Sequence, residues 1–219
     1  MFSPSFKSGF TLIEMMVVVA IFVIATGIVL ANLPAFRNKS SLDLTAQEVA
    51  TVIRQAQVYG AGTRQASTAS KFPSYGIYFR DNGKFDHRST VMELFQDQDG
   101  NSVYTSPNTT CPSGTECVEK YNFSGGLVLQ SIEGYQGANS STVFLNSGNW
   151  VNDFHITFIR PGTDAKFYSS FNGGASTARS FDYVKIILET TTLPIQCRAI
   201  NVWSTGHIYV DPAIPNPCP

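Results

Sequence analysis

Three groups of residues in this chain carry side chains that could do chemistry. Glu14 is the only charge in the run from Phe10 to Leu33, where Asn32 is the only other strongly polar residue. A carboxylate at the centre of a membrane helix costs about 2.5–3.5 kcal/mol, less near an end, so an acid kept in such a run calls for a cationic partner. The second group is Asp97-Gln98-Asp99-Gly100-Asn101, three oxygen side chains at alternate positions. This spacing can wrap a hard cation such as Ca²⁺, the one cofactor the sequence hints at. It is not an EF-hand loop, because the glycine is fourth instead of sixth and no Glu stands at the twelfth position; the alternative is an acidic β-turn in water. The third group is the cysteines, Cys111, Cys117, Cys197 and Cys218, an even number that permits three pairings. Local pairing is the expectation, with Cys111 and Cys117 closing a small loop and Cys218 stapling the Pro-rich tail to the strand near Cys197. Four reduced thiols are the alternative if the compartment is reducing. The lack of a C-x-x-C pair and the scatter of the three histidines argue against zinc.

Catalytic patterns are missing: the sequence has no G-x-S-x-G, H-E-x-x-H or G-x-x-x-x-G-K-[ST]. His155 alternates out of phase with Phe154, Ile156 and Phe158 and is expected to face solvent. His207 follows Gly206 at a hairpin, and His87 lies in a polar loop. An enzyme would need a histidine, a nucleophile and an acid brought together by the fold.

The elements that position these residues follow from the pattern of apolar side chains. A helix rises about 1.5 Å per residue, so about 20 residues cross the hydrocarbon of a bilayer, and residues 10–33 are long enough to do so. Residues 1–9 precede this run with Lys7, which is expected on the cytoplasmic side, leaving the rest of the chain outside. An ordinary secretory signal has a shorter apolar run and no internal Glu. Pro34 removes a backbone donor and is expected to bend or loosen the helix at the membrane exit. Beyond it Leu42, Ala46, Val49, Ile53 and Ala56 repeat at helical spacing, with Asp43, Glu48, Arg54 and Gln57 off that stripe, and Gly60 and Gly62 are expected to stop the helix. From residue 63 to 219 the chain reads as short strands between turn signals. Tyr75–Arg80 and Val91–Gln96 flank an Asp81-Asn82-Gly83 turn, and further strands are expected at 126–132, 142–145, 154–159, 166–168, 183–190, 198–203 and 207–210. Phe154, Ile156 and Phe158 should share a core face, as should Val184, Ile186 and Leu188.

Gly9-Phe10-Thr11-Leu12-Ile13-Glu14, followed by Met-Met-Val-Val-Val-Ala, resembles the type III signal of type IV prepilins and type II secretion pseudopilins. The resemblance implies a leader (1–9) removed by a prepilin peptidase after Gly9, N-methylation of Phe10, and pairing of Glu14 with the N-terminal amine of a neighbouring subunit. Two charges that are each costly in lipid then cancel, and a subunit in the wrong register leaves both unpaired. It also implies a pilin-like α+β fold: a transmembrane helix half (10–33), an amphipathic extracytoplasmic half (34–62), and a β-rich domain (63–219) forming an antiparallel sheet or sandwich against the helix. Residues 155–162 and 198–208 are similar to the β-domain of GspH/FimT-type minor pilins and pseudopilins, which implies two sheets beside the helix. One tip-located pseudopilin class lacks the acid matched by Glu14, so its presence here argues against that placement.

Over 219 residues, 15 Lys+Arg stand against 16 Asp+Glu, and removing residues 1–9 would leave 14 against 16. Such a balance provides no field for a polyanion. Some FimT-like minor pilins bind DNA through basic C-terminal segments, but residues 211–219 hold no Lys or Arg and Arg198 alone makes no groove, so nucleic acid is not an expected partner. The expected partners are other pilin or pseudopilin subunits, the prepilin peptidase, the inner-membrane assembly platform and the lipid bilayer. A signal-anchored extracytoplasmic enzyme or binding domain that never polymerises is the competing reading.

Overall fold

The computed structural model describes residues 9–62, 73–80, 89–105, 111–112, 114–123, 125–137, 140–144, 151–171, 175–211 and 218. Residues 1–8, the Asp81-Asn82-Gly83 turn, His87 and most of the Pro-rich tail lie outside the described residues. Helix α1 (Leu12–Ala61) spans 50 residues and contains Pro34 without interruption. The change at residues 33–34 is therefore one of composition and not of secondary structure. The chain divides between Arg37 and Asn38 into two compact units.

In the first unit the helix is apolar all round. An 18-residue window of it has mean hydropathy 2.7, and none of that window is buried. In the second unit the helix has one buried stripe. Leu42, Ala46, Val49, Ile53 and Ala56 are completely buried, as the spacing predicts, and Ala50 and Val52 widen the stripe. The helix ends at Ala61, and the Gly62 N–H closes on the Val58 carbonyl at 2.8 Å. Gly60 does not stop the helix as expected. It is buried inside the last turn, where a Cβ would lie 2.6 Å from the Phe158 carbonyl oxygen, so glycine is there for close backbone approach.

Two antiparallel sheets supply the rest of the core. The first is ordered β3-β2-β1-β6-β7-β8 and is built from β1 (Ser74–Arg80), β2 (Val91–Asp97), β3 (Cys117–Asn122), β6 (Val151–Phe158), β7 (Ala165–Phe171) and β8 (Thr177–Arg179). The second is ordered β11-β10-β9-β4-β5 and is built from β4 (Leu127–Gln136), β5 (Ser140–Phe144), β9 (Tyr183–Thr190), β10 (Cys197–Trp203) and β11 (Ile208–Asp211). Phe154, Ile156 and Phe158 from one sheet and Val184, Ile186 and Leu188 from the other join the helical stripe in one cluster. Burying each such side chain contributes about 1.5–3 kcal/mol relative to leaving it in water. Strands β3 and β8 were not expected from the sequence. Both are edge strands, whose outward positions need no apolar alternation.

The outer face of the first sheet is also covered. Tyr104 packs edge-on to Tyr78 at 5.1 Å between ring centroids and stacks on Phe95 at 5.5 Å, forming a second small core. His155 lies beneath this cover and is 1 % exposed, contrary to the solvent-facing position that alternation implied. The alternation is correct; the segment 98–105 laid over that face is what turns an outward position into a buried one.

Candidate assembly segment and neighbouring sites

Thr11 sets where the helix begins. Its Oγ1 accepts the Glu14 N–H at 3.3 Å and its carbonyl accepts the Met15 N–H at 3.2 Å. Thr11-Leu-Ile-Glu14 thus has the order of a capping box, with a hydroxyl at the N-cap and an acid three residues on. That pattern was present in the sequence, and Thr11 is the functional residue that a search for charges alone passes over. Gly9 and Phe10 stand just outside the helix, and Phe10 is 79 % exposed. Glu14 falls in the first turn, where the helix dipole favours an anion. Two other polar side chains of the apolar half donate within the helix, Thr26 to the Phe22 carbonyl at 2.7 Å and Asn32 to the Ile28 carbonyl at 3.0 Å.

The acidic loop gains a third carboxylate that its own sequence does not contain. Asp97, Asp99 and Glu116 bring carboxylate oxygens within 4.8 Å of one another. Glu116 arrives through the pairing of β2 with β3, which no local spacing reveals. Backbone donors already converge on these acids. Asp97 accepts the N–H groups of Gly100, Asn101 and Ser102, and Glu116 accepts those of Gln98 and Thr105. The Asn101 side-chain oxygen is taken by the Val103 N–H at 2.8 Å. Asp97 and Asp99 of the expected ligand set thus meet Glu116 in a group that could hold a metal ion, while the Asn101 side-chain oxygen turns to the backbone. Burial, helped by the neighbouring Asp99, pushes Asp97 up to about 6.

The prokaryotic N-terminal methylation motif matches residues 5–30, a span that contains Gly9, Phe10, Thr11 and Glu14. This motif sits at the head of a long apolar helix that continues into an antiparallel β-domain. The chain is type IV pilin- or pseudopilin-like. Neither a curated protein nor a solved structure matches it.

Three further sites in this pilin-like chain bear on its chemistry. Ser176 Oγ lies 3.3 Å from His155 Nε2, superficially a nucleophile beside a base. The other ring nitrogen, Nδ1, accepts the Tyr104 N–H at 3.2 Å, so the proton sits on Nε2 and the ring donates to the serine instead of deprotonating it. Arg198 donates to the Asp43 carboxylate on the helix and is engaged inside the fold. The structure links Cys111 to Cys117 and Cys197 to Cys218, with Cα atoms 5.1 and 5.8 Å apart.

Proposed function

We propose that this pilin-like chain is a prepilin, cut by a prepilin peptidase after Gly9 and N-methylated at Phe10, that polymerises as a minor pilin or pseudopilin of a type IV pilus or type II secretion pseudopilus. The observation that carries the reading is the naked N-terminal half of the helix. Between Phe10 and Leu30 its large apolar side chains are exposed, from 53 % at Met15 and Val17 to 79 % at Phe10. Water cannot be their environment, so they are covered first by lipid and then by the same helices of neighbouring subunits. The non-helical, exposed Gly9–Phe10 bond gives a peptidase free access. Cleavage there creates an amine four residues from Glu14, and in a stack of helices that amine on one subunit neutralises the acid on the next, fixing the register of assembly.

In this reading the N-terminus faces the cytoplasm, the helix crosses the inner membrane once, the β-domain lies outside, and the assembly platform extracts the subunit. DNA uptake finds no support, since Arg198 is committed to Asp43 and residues 211–219 carry no Lys or Arg. Mass spectrometry of the N-terminus of the cellular protein tests the proposal. A chain beginning at N-methylated Phe10 is expected, and a mature chain still carrying Met1 overturns it.

A further inference from the structure

C-terminal to helix α1, the exposed large hydrophobic residues among those described are Leu193, Ile195 and Tyr209. Two of these three share one short loop, between β9 and β10, and Leu193 at 82 % is more exposed than any large residue of the apolar helix. The loop is not slack. Thr190 N–H donates to the Gln196 carbonyl at 3.0 Å, the Gln196 N–H returns to Thr190 Oγ1 at 2.9 Å, and the Thr191 N–H donates to the Gly126 carbonyl at 2.7 Å. The fold therefore spends hydrogen bonds on presenting an apolar tip, and its residues, Thr191-Thr-Leu-Pro-Ile-Gln196, carry no charge that would resist leaving water.

The position of the loop along the chain identifies what meets that tip. Asn38 Nδ2 donates to Thr192 Oγ1 at 3.0 Å, holding the loop to the helix at that residue. Asn38 belongs to Phe36-Arg-Asn-Lys39, an aromatic and two cations directly after the apolar run, the composition of a segment at headgroup level. Asn38 follows Leu33, the end of the apolar run, by five residues. The apolar tip is thus tethered, through Asn38, a few residues along the chain from the end of the apolar run.

We propose that Leu193 and Ile195 insert into the headgroup region of the outer leaflet, giving the unassembled subunit a second, shallow contact with the membrane. The proposal rests on the membrane-anchored reading of residues 10–33. One or two apolar side chains partition weakly when free in solution, but the membrane-spanning helix keeps this loop at high local concentration beside the lipid, so weak partitioning suffices. The contact restrains the β-domain against the bilayer until extraction into a filament breaks it.

The test uses the full chain carrying Leu193→Trp, reconstituted into phosphatidylcholine vesicles with bromine placed either near the headgroup end or near the tail end of the acyl chains. The unsubstituted chain supplies the background of Trp150 and Trp203. The added emission is expected to be blue-shifted and to fall about twofold with shallow bromine, and less with deep bromine. Emission typical of water, unaffected by either lipid, overturns the proposal while leaving the anchor reading intact. Blue-shifted emission that neither lipid quenches also overturns it, and assigns the tip to another subunit. Flotation of the vesicles separates the two failures: a chain that does not float with lipid removes the anchor reading and the proposal together.

Discussion

The imidazole of His155 is neutral because burial pushes it down to about 3, and its Nδ1 must stay unprotonated to accept the Tyr104 N–H. Its folded value lies below the unfolded value near 6.5, so the stability it supports is present above pH 6.5 and is lost as pH falls toward 3. Asp97 has the opposite sign. Its folded value is raised from 3.8 to about 6, so its contribution is complete below pH 4 and is lost as pH rises through 6. Between about pH 4 and 6 the two slopes oppose each other. Urea unfolding of the full chain in detergent between pH 3.5 and 7 checks this: His155→Gln is expected to abolish an acid loss on the order of 3 kcal/mol, and Asp97→Asn to abolish the gain on acidification. The residue scale was the least legible in the sequence. Alternation placed His155 opposite Phe154 and Ile156, but what covers it is Tyr104, some fifty positions away, and the partner of the acidic loop is Glu116, just ahead of β3. Non-local pairing of this kind leaves no periodic trace. The helix start at Thr11 and the methylation motif around it were legible because both are read from consecutive residues.

At the scale of elements, apolar periodicity located the helical stripe and the core faces of β6 and β9, since burial on one side imposes period 3.6 or period 2. It failed where burial imposes nothing, at the edge strands β3 and β8. It also misread Gly60, because a glycine that ends a helix and one that lets a helix approach a strand are the same letter. The contact distinguishes them: the obstacle is the backbone oxygen of Phe158, which has no rotamer by which to step aside. Gly60→Ala would gain up to about 1 kcal/mol of helix propensity, yet the displaced strand outweighs it. A net loss of about 1–3 kcal/mol in denaturant unfolding is expected, with membrane insertion unchanged.

For the whole molecule, the described core draws on no residue before Leu42, while the apolar half of the helix contributes nothing to it. On the proposed filament reading, folding, insertion and polymerisation therefore depend on separate residues. Glu14→Ala is expected to leave the melting temperature and membrane fraction as they are and to lower incorporation into sheared filaments on the order of tenfold, measured as the ratio of filament to membrane protein. Normal incorporation would remove charge pairing as the source of register. The borders of the two sheets matter for the same process. β8 has three residues, β11 four and β5 five, and the longer β3 carries Glu119 and Lys120. Subunits crowded side by side thus find little bare ladder on which to zip strand to strand. Runaway fibre growth through the β-domain is disfavoured, and in the proposed filament elongation is left to the helix.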